Sequence, residues 1–559
     1  MDQQLLEELK KSFTGDIATD AETLDTYSHD ASLFEVKPQV VVFPKTEEDV
    51  VSIVKFAAAN KKDHPNLSLT GRAAGTDMGG GSINDSITVA FGKYFNTPPV
   101  LNGTVATAQP GLFYRDFEKE TIKEKNLLLA SYPASRELCA IGGIVNNNSG
   151  GEKSLQYGKT ENFVKRVKVV LADGTVTELK PLNEKELKEK MELKTLEGDI
   201  YREMYKLITE HYDEIQKAKP KVTKNSAGYN LWNVWDPEKK IFDLTHLWVG
   251  AQGTLGLMLE ADLELVPVKK HHEMEIIYLH DINHLNEIID AVLPLGPESF
   301  ESYDDNTLML ALKFFPEFAK KLGLWGLMQS GIAFLPAFLD MMIGRLPKLI
   351  LQVDFAGDDP EELKQKVATL REKLKLLHPQ TRIAIDNQEK KYWLIRRESF
   401  NLLRNKIRDK HTAPFIDDFV IDPHLMGEVI PQVIDILKKH PEFIYTVAGH
   451  VGNGNFHIIP LVDIKNPNVR KAIPEISDQV YKIIGEKKGS ITGEHNDGLI
   501  RTPYLQEMFG EKMVKLFEQT KNIWDPQAIF NPRKKVHGDL KYAMDHIRTN
   551  WNFIQTKVK

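Results

Sequence analysis

The chain has 559 residues, enough for two to four domains with separate cores. Hydrophobic residues make up 42% and charged residues 27%, a globular balance that excludes a disordered chain. The formal charge of -7 carries no basic excess, so no nucleic-acid partner is expected. The single cysteine, Cys139, excludes an internal disulfide and any cysteine-ligated iron–sulfur cluster built from these residues alone. The opening run MDQQLLEELKKSF reads as an amphipathic helix without an apolar signal core, which predicts a cytoplasmic protein.

Up to about Pro267, strand and helix patterns alternate. Val40–Phe43 is a β-branched run; Thr46, with Glu47, Glu48 and Asp49, supplies a cap and an acidic first turn for a helix over 50–60. Residues 67–70 read as the next strand and feed a glycine-rich loop. Further strands are expected over 164–171 and from Trp248 onward, with a Lys/Glu-rich helical insertion and its solvated face at 183–197. Beyond Val268 two β-α-β patterns follow, 274–280, 282–293 and 299–303, then 349–355, 360–377 and 381–386. Their succession predicts a ferredoxin-like antiparallel sheet backed by helices. Between them, 322–339 carries no charge over 18 residues, the length of a spanning helix. Gly323, Gly326, Gly331 and Pro336 interrupt it, so it reads as a buried cap, with a membrane-surface helix pair over 322–345 as the alternative.

Three glycine-rich loops stand out. The first, 70–82, could turn consecutive N–H groups onto one anion, since glycine accepts positive φ; it lacks the Gly-Lys-Ser/Thr ending of a Walker loop. The second, 133–151, mixes glycine pairs with small hydroxyl and amide side chains suited to a flat heterocycle and a ribityl chain. The third is Gly250-Ala251-Gln252-Gly253-Thr254-Leu255-Gly256. Ordering glycine costs more backbone entropy than ordering any other residue, so one large cofactor explains three such loops better than three connectors do.

The carboxyl-terminal third carries a sharper constellation, read as a metal site, with histidines that only satisfy loop backbone as the alternative. His450 and His457 flank the turn Gly452-Asn453-Gly454, which predicts a strand–turn–strand that brings the two rings together. Glu494 lies beside a third histidine, His495, within another glycine turn. Two neutral imidazoles and one carboxylate suit a divalent Zn, Mn or Fe ion with open positions.

These residues resemble the FAD-binding oxidoreductases of the vanillyl-alcohol-oxidase/PCMH superfamily, in particular its D-lactate, glycolate and D-2-hydroxyglutarate dehydrogenase branch, from about Val40 to Val536. The resemblance implies an α+β architecture: a PCMH-type two-subdomain FAD-binding domain (1–267) and a ferredoxin-like substrate or cap domain (268–488) with an apolar insertion (316–348). A segment returning to the FAD domain (489–536) and a helical tail (537–559) complete it. Implied FAD contacts in the first loop are Thr70, Gly71, Arg72, Ala74, Gly75, Thr76, Asp77, Gly79, Gly80 and Ser82. The second loop offers Pro133, Ile141, Gly142, Gly143, Asn146, Asn148, Gly150 and Gly151; the third offers Gly253, Thr254 and Gly256; the closing Phe530-Asn531-Pro532 offers Asn531. No histidine lies in 70–82, and Cys139 reads as a small residue packed against the cofactor, so FAD is expected to be non-covalent.

The same resemblance places the metal ligands at His450, His457 and Glu494, a catalytic base at His495 and a substrate-carboxylate arginine at Arg397, with Arg396 one residue away. Asn496 replaces a usual glycine and, like it, tolerates the left-handed conformation. Asp417 aligns where the hydroxyglutarate enzymes carry a lysine, so an acid there favours a monocarboxylate such as D-lactate or glycolate. The expected reaction is metal-assisted hydride transfer from a small 2-hydroxy acid to flavin N5. Electrons are expected to leave through a quinone or a separate iron–sulfur or electron-transfer partner, at the inner face of a membrane if 322–345 lies on it. The alternatives are another flavin oxidase of the same fold, acting on a sugar lactone or alditol, and a non-catalytic, metal-stabilised redox-partner subunit.

Overall fold

The computed structural model describes residues 1–307, 309, 347–377, 380–385, 392–393 and 410–549. Arg396, Arg397, the apolar stretch 322–339 and the end of the tail lie outside these. The amino-terminal sheet joins β1 (Asp16–Ala18), β2 (Val40–Phe43), β3 (Leu69–Arg72) and β4 (Ile87–Ala90) in the order β1-β2-β4-β3. β2 and β3 both run parallel to β4, which the crossover through α1 (Glu47–Asn60) permits. Thr46 caps α1 by accepting the Asp49 N–H, and the Asp49 carboxylate accepts the Thr46 N–H in return. This reciprocal box starts the helix at Glu47, ahead of the predicted 50. Val50, Ile53, Val54 and Ala57 of α1 bury against Val40, Val42, Leu69, Ile87 and Val89 of the sheet.

A second, antiparallel sheet contains β5 (Val100–Asn102), β6 (Val105–Ala108), β7 (Val164–Val170), β8 (Val176–Leu179) and β9 (Leu257–Glu264), ordered β5-β6-β9-β7-β8. The strand predicted from Trp248 begins only at Leu257. Thr245–Trp248 is a helical turn, and Gly250, Gly253 and Gly256 then take φ of +88°, +66° and +153°, which breaks extension. The Lys/Glu-rich stretch becomes two helices, Glu184–Met191 and Leu196–Glu210. The second buries Ile200, Tyr201, Met204, Leu207 and Ile208, so its inner face belongs to the core.

The cap domain opens with β10 (His271–Leu279), α2 (Leu285–Val292) and β11 (Ser299–Asp304), followed by β12 (Leu349–Gly357), α3 (Pro360–Leu374) and β13 (Gln380–Ile385). Their order, β13-β10-β12-β11, is antiparallel throughout and interleaves the two β-α-β units, as a ferredoxin-like fold requires. Apolar faces of α2 and α3 cover one side of it through Ile288, Ile289, Leu363 and Val367. Beyond β11 the sheet continues through β14 (Phe419–Val420), β15 (Val447–His450) and β16 (Asn455–Ile458), in the order β11-β15-β16-β14, and so carries the histidine turn. A partly buried ion pair, Lys153 with Glu298, ties the segment just after the second glycine loop to the start of β11.

The chain then returns to the first sheet. Leu69 exchanges backbone hydrogen bonds with Ile529 (2.7 Å) and Asn531 (2.9 Å). The buried Lys521 donates to the carbonyls of Thr254 (2.6 Å) and Phe530 (2.7 Å) and pairs with Asp525. Among the described residues no helix is long and apolar enough to cross a membrane.

Candidate active site

A cavity of about 820 Å³ lies between the glycine loops and the cap sheet. Of the expected FAD contacts, Gly71, Arg72, Ala74, Gly75, Thr76, Asp77, Ser82, Pro133, Gly142, Gly143, Asn146, Gly253 and Gly256 line it. The walls have the form a large flat cofactor needs. Gly75 sits at φ +69°, and a Cβ there would lie 2.3 Å from the Arg72 guanidinium; a Cβ on Gly142 would lie 2.7 Å from Pro110. A Cβ on Gly143 or Gly253 would meet nothing within 4 Å, so those two leave open space. Among the described residues the N–H groups of Ala74, Gly75 and Thr76 have no protein acceptor, which suits them to an anion.

Asp77 lines the cavity but acts as a brace. Its carboxylate accepts the N–H groups of Gly79 (3.1 Å) and Gly81 (2.5 Å) and the amide of Asn147 (2.9 Å). The remaining expected contacts stand behind the wall. Thr70 donates to Asn531 Oδ1 (2.9 Å), while the Asn531 amide donates to the carbonyls of Gly81 (2.8 Å) and Gln252 (2.6 Å), so this pair cross-ties two loops. Ile141 is core, and Asn148, at φ +50°, ends the helix Ile141–Asn147 and accepts the Glu161 N–H (3.0 Å). Gly79 and Gly80 pack on Gly498 and Leu499, Gly150 on Ser154 and Glu494, and Gly151 on the Tyr132 carbonyl. Thr254 shares a hydrogen bond with the Tyr229 hydroxyl (2.6 Å).

At the cap end the cavity meets His450, His457, Glu494 and His495. Ala448 pairs with His457 and His450 with Asn455 across β15 and β16, and Gly454 makes the turn at φ +66°, where a Cβ would strike the Ile421 carbonyl. The His450 and His457 rings meet edge to face, 5.2 Å between centroids. One ligand atom each from His450, His457 and Glu494 lies within 4.8 Å of the others. His450 turns Nδ1 to Glu301 (2.6 Å) and Nε2 to Glu494 (3.2 Å); His457 turns Nδ1 to Asp417 (3.0 Å). Carboxylates behind the Nδ1 atoms orient both imidazoles, and a divalent ion held by this donor set would replace the present contacts of Glu494 with His450 Nε2 and Lys224.

The electrostatics follow from burial of opposite charges. Burial pushes the Glu494 carboxyl up, but Lys224, His450 and His457 hold it well below the usual range. Burial pulls His495 down, yet Asp417, Asp418 and Glu494 outweigh it and set the ring at about 9. A further positive charge in the cluster would pull the ring back down and free Nε2 as an acceptor. Burial pushes the Cys139 thiol up to about 12, so it is an inert wall residue.

Sequence reasoning missed several supports. Lys224 pairs with Glu494 while fully buried; Asp418, at φ +74°, accepts the N–H groups of Glu494 (2.8 Å) and His495 (2.7 Å). Glu301, Asn147 and Gln252 complete the set. Of these, only Asn147 and Gln252 sit in glycine-rich motifs. Asp417 needs correction. It is fully buried against His457 and His495, so its charge is met there and does not repel a substrate carboxylate.

Comparison with known proteins agrees with this geometry. Residues 38–180 match the model described as FAD binding domain, and 282–535 match FAD linked oxidases, C-terminal domain. Together the two matches span more than half of the chain, which belongs to the FAD-linked oxidases. Among curated proteins it is 27% identical over 547 residues to the D-2-hydroxyglutarate dehydrogenase of Pantoea ananatis, covering 95% of this chain and 51% of that protein. The chain thus spans about half the length of that relative. It is 24% identical to the D-lactate dehydrogenase of Anaerostipes hadrus, covering 95% of this chain and 97% of the relative. The solved 4-ethylphenol oxidase from Gulosibacter chungangensis shares the fold at a TM-score of 0.67 and 15% identity, covering 97% of this chain and 99% of that one.

Proposed function

We propose that the chain is an FAD-dependent dehydrogenase that oxidises a D-2-hydroxy acid to the 2-oxo acid. The observation that carries this reading is the shared cavity, with the glycine loops on one side and the histidine–carboxylate cluster on the other. Relatives named D-2-hydroxyglutarate dehydrogenase and D-lactate dehydrogenase support it. When bound, FAD supplies a two-electron acceptor and a divalent Zn, Mn or Fe ion a Lewis acid. Ala74, Gly75 and Thr76 would hold the cofactor's pyrophosphate through N–H groups, with Gly142, Gly143 and Gly253 leaving room for its rings. His450, His457 and Glu494 would hold the cation, and His495 Nε2 would take the hydroxyl proton. Arg397 would grip the substrate carboxylate in a bidentate fork.

Among the described residues, Thr307, Thr412, Thr446, Ala448 and Ile459 line the cap-domain side of the cavity, all short or uncharged, which supports a small acid such as D-lactate or glycolate as the substrate. Electrons would pass to a quinone or to an electron-transfer partner outside residues 1–559. The test is product formation. Protein supplied with D-lactate and an artificial electron acceptor should form pyruvate, and a chelator should stop it; pyruvate yield unaffected by chelation would reject the metal part, and no 2-oxo acid from any D-2-hydroxy acid would reject the activity.

A further inference from the structure

We propose that Asp417 is a positioning residue that locks a metal-ligand histidine and the proton-accepting histidine into one arrangement, with both Nε2 atoms turned to the cavity. The proposal rests on the functional reading above. Asp417 Oδ1 lies 3.0 Å from His457 Nδ1. Asp417 Oδ2 lies 2.5 Å from His495 Nδ1, a close ion-pair contact rather than an aligned hydrogen bond. The two rings stack, 5.1 Å between centroids and 30° apart. The residue is fully buried, and its backbone carbonyl is held by Arg501 Nη2 at 2.7 Å.

Asp418 does the matching work on the backbone. Its Oδ2 accepts from the Glu494 and His495 N–H groups and from Thr492 Oγ1 at 2.7 Å. One Asp-Asp pair therefore fixes the main chain of the ligand and the base, and the rings of two histidines.

The chemistry of the acceptor gives the arrangement its consequence. An ionised carboxylate can only accept, so a proton sits on Nδ1 of His457, which hydrogen-bonds to it, and the negative charge beside His495 Nδ1 favours a proton there too; each ring, when neutral, then keeps its lone pair on Nε2. An amide cannot serve both. Asn offers one oxygen and one NH2, so it satisfies one histidine in the required tautomer and forces the other to turn its lone pair inward, away from the cavity. Asp417→Asn must then lose either the metal ligand or the base, with little change in side-chain volume.

The experiment titrates FAD-loaded wild type and Asp417→Asn with Zn²⁺ by calorimetry. It then measures anaerobic flavin reduction at saturating Zn²⁺, using whichever of D-lactate, glycolate and D-2-hydroxyglutarate reduces the wild type fastest. The expected result is normal flavin content with a fall of about 10–100-fold in Zn²⁺ affinity or in reduction rate. Equal affinity and equal rate in the variant would overturn the proposal alone. A wild type that binds no Zn²⁺ and is reduced by none of the three acids would overturn the underlying reading, and the proposal with it. Should Asp417→Asn fail to retain flavin, Asp417→Ser, which is smaller, carries the same comparison.

Discussion

A Cβ placed on Gly150 would lie 3.2 Å from Oε1 of Glu494. The second glycine loop and the candidate metal ligand are thus in contact, and the loop's bareness at this point leaves room for the carboxylate. Gly150→Val should displace Glu494 and weaken Zn²⁺ binding by at least about tenfold, while FAD content stays near normal. Parallel calorimetry and flavin absorbance check it. Unchanged Zn²⁺ affinity in a flavin-loaded variant would show that Glu494 is not held against the loop.

His495→Asn removes the candidate base and keeps a polar side chain of similar reach. Flavin reduction should slow by roughly two to four orders of magnitude, the range of general-base catalysis. Rapid mixing without oxygen reads the rate directly, and near-normal reduction would take His495 out of the role.

Lys153 and Glu298 form a partly buried pair between the FAD domain and the cap sheet, their side chains 16% and 3% exposed. Removing Lys153 leaves a buried carboxylate without this partner, and because the lysine end is partly exposed the cost falls below the ~3–5 kcal/mol of a fully buried pair. Lys153→Met should therefore destabilise more than the double variant Lys153→Met/Glu298→Gln, measured by denaturant unfolding. A double variant less stable than the single one would refute the stranded-charge account.

Acid sensitivity should come in part from His29. Burial, then Arg548 and Arg72, pull its imidazole from 6.5 to about 4. The unfolded chain protonates near pH 6.5 and the folded one only near 4, so the stability His29 contributes is whole above 6.5 and is lost as pH falls towards 4. Its neighbour Asp30 acts in the opposite sense, since burial, then Asp77, push it up to about 6. His29→Gln should flatten the difference in unfolding midpoint between pH 7 and pH 4.5 relative to wild type. An equal loss in both proteins would remove His29 as a cause.

Features written in consecutive residues were legible from sequence. The Thr46 cap, the two β-α-β units and the Gly452-Asn453-Gly454 turn all depend on local chemistry, and Asn496 takes φ +66° as its side chain allows. Trp248 misled because an apolar run does not distinguish a strand from a buried helical turn. The supports of the cluster were illegible for a different reason. Lys224, Glu301 and Asp417 stand in no turn or repeat, and their partners are far along the chain, so only the fold reveals what each charge meets. Asp417 shows the hazard most clearly: an aligned position identifies a residue's neighbours in sequence, whereas its role depends on which way the carboxylate faces.

The most direct test mixes FAD- and Zn²⁺-loaded protein anaerobically with paired D- and L-2-hydroxy acids and follows flavin absorbance. The account predicts rapid bleaching by a D-acid, abolished by a chelator and restored by Zn²⁺ or Mn²⁺. Flavin that stays oxidised with every D-acid, or bleaches as fast with the L-isomers, would contradict it.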